Sequence, residues 1–592
     1  MAAAIATCAT MVMAPPGIAQ QGPIRLFPGR DAPPGIEPAP EQESPRPAAP
    51  DSQRGAPHTE RAVPAQPRGE FVVEGLAAPE LDAVGLSGRA EGAFDRPLWQ
   101  GSDPDLVSQL LADLPVVTLV PPLRELTRRL LVTGSPTGGS EPGRMLALRM
   151  ERLVAMGDLD GAKAVVDHLP PQVTDSVLAR NAAEVALLLG DEESACRLAD
   201  SLGPTSEADF WAEIAVYCRL VEGDRSGARL GLDLLRETGR DAADAFFARA
   251  GAMVEQTAAP ALEQLSQPTA IDVALLALAG WPLPEHVLAD ATPPVLASVA
   301  REPVLAGPEG RLAAIERAFL VGAAPADRVA ASYAEQDASG ADDLPSAQDR
   351  WGPGMRASAY AAVRAQSDPA PRAALLDTTW QAASGAERFL VAEVFAQPFV
   401  ELPVERQLAG AAPSVARALL AAGRPAPAVA WLSLLTGEGR ADPRAASTAA
   451  ALLPLFALAG VGGSDAVSRV DGSAIAAWQH ATTADQVVAE RLFALLTGIG
   501  VAVESGAWRE LVPAHRHRQQ AAPATVLWRG LEQAAAERRI GDTVLFVLHM
   551  LNGQPEAVHP EVLVACLRAL SRVGLDRDAR AIALATALIN NL

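Results

Sequence analysis

Lysine is almost missing from this chain: Lys163 is the only one, and arginine supplies every other positive side chain. Lys163 lies in Gly161-Ala162-Lys163-Ala164, which is not a phosphate-binding loop, so P-loop chemistry is excluded and Schiff-base chemistry nearly so. Positive charge is scarce altogether. With 49 Lys and Arg against 71 Asp and Glu, the formal charge is −22. Such a surface repels phosphate backbones and anionic membranes, so nucleic acid is not expected as a partner. The 8 histidines are dispersed. Only His515 and His517 lie close, between Arg516 and Arg518, with no cysteine or carboxylate beside them, so no metal site is expected there.

Motifs for chemistry are equally sparse. No serine stands in GxSxG, and Gly460-Val461-Gly462-Gly463 follows a helical run and has Asp465 where a dinucleotide loop needs its third glycine. Asp342, Asp343 and Asp349 supply too few oxygen ligands, too widely spaced, for a calcium loop. Glu192 and Glu193 sit where a helix begins and read as dipole partners rather than a catalytic pair. The expectation is a protein that is not an enzyme, with no catalytic, cofactor-binding or metal-ligating residues.

What is present begins with a segment that reads as an export signal, the alternative being an unprocessed tail. Residues 1–19 are apolar and small from Ala2 to Ala14, and Gly17-Ile18-Ala19 offers a cleavage site after Ala19, although the first arginine is Arg25. Twelve prolines between Pro23 and Pro67 make residues 20–69 an extended, disordered linker. Residues 70–101, with Phe71-Val72-Val73, Leu76 and Leu81, read as an extended clip along the folded body. Ser102-Asp103-Pro104-Asp105 then announces a helix, with Ser102 as N-cap. Leu106, Leu110, Leu111 and Leu114, then Leu123, Leu126, Leu130 and Leu131 after Pro121-Pro122, keep helical spacing and predict two short helices.

The most informative stretch follows. The pattern GDxxxA occurs at Gly157-Asp158 with Ala162, Gly190-Asp191 with Ala195, and Gly223-Asp224 with Ala228, each 33 residues from the next. Apolar residues keep phase around it: Met150, Ala183 and Val216 before each glycine, Leu169, Leu202 and Leu235 after each alanine. A fixed period of this length predicts stacked two-helix repeats. The glycine supplies a left-handed residue, the aspartate caps the next helix, and the alanine lets the helices approach closely.

Over residues 142–238 the chain resembles the tetratricopeptide repeats, whose glycine-aspartate turn also precedes a small residue. It departs from them in its period, in carrying leucine at the second small position, and in lacking the helix-A tryptophan and tyrosine. The resemblance implies an α-solenoid of stacked hairpins binding a protein or peptide on its concave face.

Beyond residue 240 amphipathicity continues in 271–278, 312–321, 373–395, 415–435, 487–496 and 543–551, and the turn is echoed by Gly423 with Ala428 and Gly574 with Ala579. The fold expected is all-α: repeats over 102–336, an irregular loop at 337–354, and a second helical lobe over 355–592. Nothing after the N-terminus is long and apolar enough to span a bilayer.

Of the 4 cysteines, Cys196 and Cys218 are the closest pair that survives signal removal. Their register on neighbouring antiparallel helices leaves two readings open: a disulfide, or two small buried core residues. Cys566 reads as a buried free thiol. The function expected is a periplasmic or secreted scaffold or adaptor, in the setting of a cell-envelope assembly. The alternatives are the accessory solenoid of a cell-wall-active enzyme such as a lytic transglycosylase, or a cytosolic regulator if the N-terminus is not a signal.

Overall fold

The computed structural model describes residues 80–139, 141–170, 175–201, 208–238, 245–260, 262, 265–308, 310–336, 351–461, 472–482, 486–512 and 524–591. The signal, the proline-rich linker, the first residues of the clip and most of the 337–354 loop lie outside the described residues, with Asp342, Asp343, Asp349, Asp465, His515 and His517.

The leucine spacing produces α1 (Pro104–Ala112) and α2 (Pro121–Val132). Leu111, Leu123, Leu126 and Leu130 are fully buried, each contributing about 1.5–3 kcal/mol. The N-cap of α1 is Asp103 rather than the expected Ser102. Pro104 confines its predecessor to extended backbone, and Asp103, at φ −84° and ψ 117°, accepts the amides of Asp105 and Leu106.

Each GDxxxA motif then forms a hairpin: α3 (Arg144–Met156) with α4 (Leu159–Val166), α5 (Ser176–Leu189) with α6 (Glu192–Ser201), and α7 (Ala208–Val221) with α8 (Arg225–Glu237). Gly157, Gly190 and Gly223 are left-handed at φ 81°, 72° and 75°. Asp158, Asp191 and Asp224 accept the amides of Gly161, Ser194 and Gly227 at 2.9, 3.1 and 2.9 Å. Ala162, Ala195 and Ala228 are 0% exposed.

The chain continues through α9 (Ala245–Glu255), α10 (Ala270–Ala279), α11 (Glu285–Ala289), α12 (Pro293–Arg301), α13 (Arg311–Val321) and α14 (Ala326–Ala334). Next come α15 (Pro353–Ala365), α16 (Pro369–Ala382), α17 (Glu387–Val394), α18 (Ala396–Val400), α19 (Ala412–Ala421), α20 (Pro425–Glu438) and α21 (Pro443–Ala459). The last are α22 (Gly472–Thr482), α23 (Gln486–Gly498), α24 (Ser505–Leu511), α25 (Thr525–Ala536), α26 (Ile540–Leu551), α27 (Pro560–Arg572) and α28 (Asp576–Ile589). The run expected over 373–395 is two helices, broken at Gly385 with φ 52°. The described residues hold no strand, only one bridge between Leu86 and Thr133. The clip is therefore not strand-like along its described length: two 3-10 turns, Leu81–Ala83 and Arg89–Glu91, flank that bridge.

The hairpins do more than stack on their sequence neighbours. Helices α10 and α12 fold back across α5, and α12 also reaches α3. The first and last helices meet, with α2 against α26 and α28, and α1 against α26. Thr118 donates to the Gly553 carbonyl at 2.6 Å, and the Gly541 amide donates to Leu98 at 3.1 Å.

The helices on either side of residues 337–350 are packed together. Helix α15 packs on α13 and α14, and buried Arg356 joins Glu316 of α13 at 2.5 Å and Glu387 of α17 at 3.0 Å. Charge and hydrogen bonding from Glu316 outweigh the desolvation of Arg356 and raise its pKa. All these helices belong to one compact unit.

Arginine supplies a recurrent joint between helices. Six arginines donate to a carbonyl in the last turn of another helix: Arg149 to Leu131, Arg317 to Leu288, Arg328 to Ala300, Arg124 to Leu320, Arg580 to Ala457 and Arg388 to Leu588. Carbonyls of a last helical turn have no i+4 amide of their own helix to accept and carry its negative dipole end, although those of Leu288, Ala457 and Leu588 also accept a turn amide. A guanidinium reaches them with several donors in one plane.

Candidate binding cleft

A cavity of about 680 Å³ lies where these joints draw the two ends of the chain together. Its walls come from distant parts of the sequence: Arg89, Gly92 and Ala93 of the clip, the start of α2, Phe389 and Glu393 of α17, Leu420–Gly423 at the end of α19, and one face of α28 from Gly574 to Leu588. The apolar side is made by Phe389, Leu420, Leu575, Leu584 and Leu588. Gly423 and Gly574, the late echoes of the repeat turn, both line it, at φ 65° and 84°.

Charge at the α2 end is matched within the protein. Arg129 Nη1 meets Asp578 Oδ1 at 2.7 Å and stacks on Phe94 at 4.3 Å. Arg128 Nε meets Asp158 Oδ2 at 3.2 Å, so the aspartate of the first repeat turn both caps α4 and holds α2. Burial raises the carboxyl of Asp158 above its usual range, against the amide of Gly161 and the charge of Arg128. Glu125, more exposed at the mouth, lies 3.9 Å from Arg128 and is also pushed up, chiefly by desolvation. Arg89 pairs with Asp95 at 2.9 Å.

Glu393 differs from these acids. It is half-buried in the cavity wall, and burial raises its pKa against the field of Arg124. Arg124 does not close on it: its Nη1 donates to Leu320 at 2.6 Å and Thr118 at 3.3 Å. Desolvation lowers the Arg124 pKa to about 10, a value that keeps it cationic at neutral pH.

The turn residues Gly157, Gly190, Asp191, Gly223 and Asp224 serve the hairpins and do not line the cavity. Cys196 and Cys218 are joined in a disulfide with their α-carbons 5.7 Å apart. Residues 202–207, which join the two helices, lie outside the described residues. Cys566 is buried and free, and desolvation holds its thiol well above the ordinary range. Among the described residues no group of three or more histidine, cysteine and acidic side chains is placed to hold a metal. Sequence reading missed Glu125, Arg129, Phe389, Glu393 and Asp578. Arg129 and Asp578 are 449 positions apart, and no local pattern marks such a pair.

No family model, curated protein or solved structure matches this chain.

Proposed function

We propose that this chain is an exported, non-catalytic helical scaffold that holds a peptide or protein partner through the cleft between α2, α17, α19 and α28. The cleft carries the reading. Its volume of about 680 Å³ lies within the usual span for ligand pockets, roughly 300–1,000 Å³. One side is apolar and the rim is charged, the composition of a recognition site. The lining offers arginine, aspartate and glutamate but no serine, threonine, cysteine, histidine or lysine, so hydroxyl, thiol, imidazole and amine chemistry has no residue there and carboxylates alone could act in catalysis. The Cys196–Cys218 disulfide supports export, since such bonds persist in oxidising compartments. The tetratricopeptide-like turns fit a scaffold in a cell-envelope assembly.

One observation favours a second reading. Glu393, raised by burial, and Glu125 line the same cleft, and a raised acid beside a second carboxylate is the equipment of a glycan-cleaving enzyme. A single experiment separates the two: the full chain is titrated with a mixed library of short acetylated peptide amides and, separately, incubated with cell-wall glycan. The binding reading expects peptide retention that Leu584→Trp abolishes by filling the cleft, with unchanged circular dichroism and no glycan cleavage. Cleavage lost in Glu393→Gln would replace it with the enzymatic reading. For export, the native protein recovered outside the cytoplasm is expected to begin at Gln20.

A further inference from the structure

Resting on that reading, we infer that the group entering the cleft is a lysine or arginine side chain of the partner peptide, with Glu393 as its anchor. Three observations lead there. First, the charged groups lining the cavity do not balance evenly along its length. Asp578 is taken by Arg129, and Glu125 lies 3.9 Å from Arg128, a cation it shares with Asp158. The Glu393 carboxylate has no salt bridge or hydrogen bond to another described residue; the cation whose field acts on it, Arg124, is committed to two carbonyls.

Second, Arg124 is the one cation whose field acts on Glu393, and Arg577, the remaining cation of the rim, does not contribute to it. Arg577 lies at the start of α28, whereas α17, the helix of Glu393, is pinned to the other end of α28 by Arg388 Nη1 on the Leu588 carbonyl at 2.9 Å. From Arg577 to Leu588 the helix rises about 16 Å at roughly 1.5 Å per residue. Arg388 itself is occupied by the carbonyls of Leu588 and Ala383.

Third, the surface between is apolar: Leu420, Leu584 and Leu588 with Phe389. A long aliphatic stem ending in a cation matches this arrangement, the stem lying on leucine and the charge meeting the carboxylate. The net charge of −22 draws such a ligand toward the protein.

The test uses the full chain and acetylated pentapeptide amides whose central residue is fixed as arginine, lysine, citrulline or glutamate, the flanking positions mixing leucine, phenylalanine and alanine. A fifth probe is free 4-phenylbutylammonium. Arginine and lysine pools are expected to bind at least about tenfold tighter than the citrulline pool, one charge-assisted contact against a neutral one. Glu393→Gln should bring arginine and lysine binding down to the level of the citrulline pool, while the variant still melts cooperatively and no lower than the parent. If all pools bind alike and Glu393→Gln changes nothing, the cationic assignment fails while the cleft reading stands. If Leu584→Trp also leaves binding intact, the cleft itself is the wrong site. Binding of the free amine without any arginine or lysine peptide would overturn the peptide source.

Discussion

Arginine 149 illustrates how single residues hold this fold. Fully buried, it donates from Nε to Leu131 and from Nη1 to Asp82 and Val84, tying the clip to the end of α2, and its pKa falls to about 10 because burial outweighs the field of Asp82. An ammonium has no such planar fork, which gives a physical use for arginine in a chain with one lysine. Glu393 shows the opposite balance. Its folded carboxyl binds its proton more tightly than the unfolded chain does, so folding stability falls as pH rises from the ordinary glutamate range through the raised folded value. Glu393→Gln removes that cost. The variant is therefore expected to melt above the parent at pH 8, with the gap closing toward pH 4. A gap that widens on acidification would reverse the sign.

At the scale of elements, the three repeat turns share one backbone geometry but not one environment. A β-carbon on Gly157 would lie 2.8 Å from the Pro293 carbonyl and 3.0 Å from Ala323, whereas at Gly223 nothing lies within 4 Å. Both alanine substitutions pay the left-handed penalty of about 1–2 kcal/mol. Gly157→Ala adds a collision with α12 and is expected to cost clearly more in urea unfolding than Gly223→Ala. Equal costs would mean that the first turn does not pack on α12.

The disulfide belongs to the same scale. Joining α6 to α7 across 22 residues, it is expected to contribute about 3 kcal/mol through the entropy of the unfolded chain. Thiol titration of unreduced, denatured protein should find Cys566 alone, or Cys566 with Cys8 when the N-terminus is retained; Cys196 and Cys218 reacting as well would remove the bridge.

For the whole molecule, the meeting of α1 and α2 with α26 and α28 changes how the chain should unfold. An open stack tolerates loss of a terminal hairpin, because each repeat touches only its neighbours. Here, ending the chain after Val558 deletes α27 and α28 and with them the partner of Arg129. Hydrogen exchange on α2 is expected to lose protection in that truncation, although α2 lies more than four hundred residues from the cut. Retained protection on α2, with loss confined to α23 and α26, would match an open stack instead.

The sequence by itself determined the helices and the turns of the repeats. Leucine spacing marked α1 and α2, and the glycine-aspartate-alanine pattern marked three hairpins to the residue, because helix period, left-handed glycine and N-capping act within a few positions. It misplaced the cap of α1 by one residue and joined α16 to α17, where proline and glycine act on backbone angles that composition blurs. Only the tertiary structure decided that the first helices pack against the last, that Arg356 joins α15 to α13 across the loop, and that Glu393, Arg129 and Asp578 share one cleft. Packing of apolar faces is non-directional, and a helix can bury its stripe against many partners. Which partner it takes is settled by the fit of the whole set, hundreds of residues apart, and no local pattern records it.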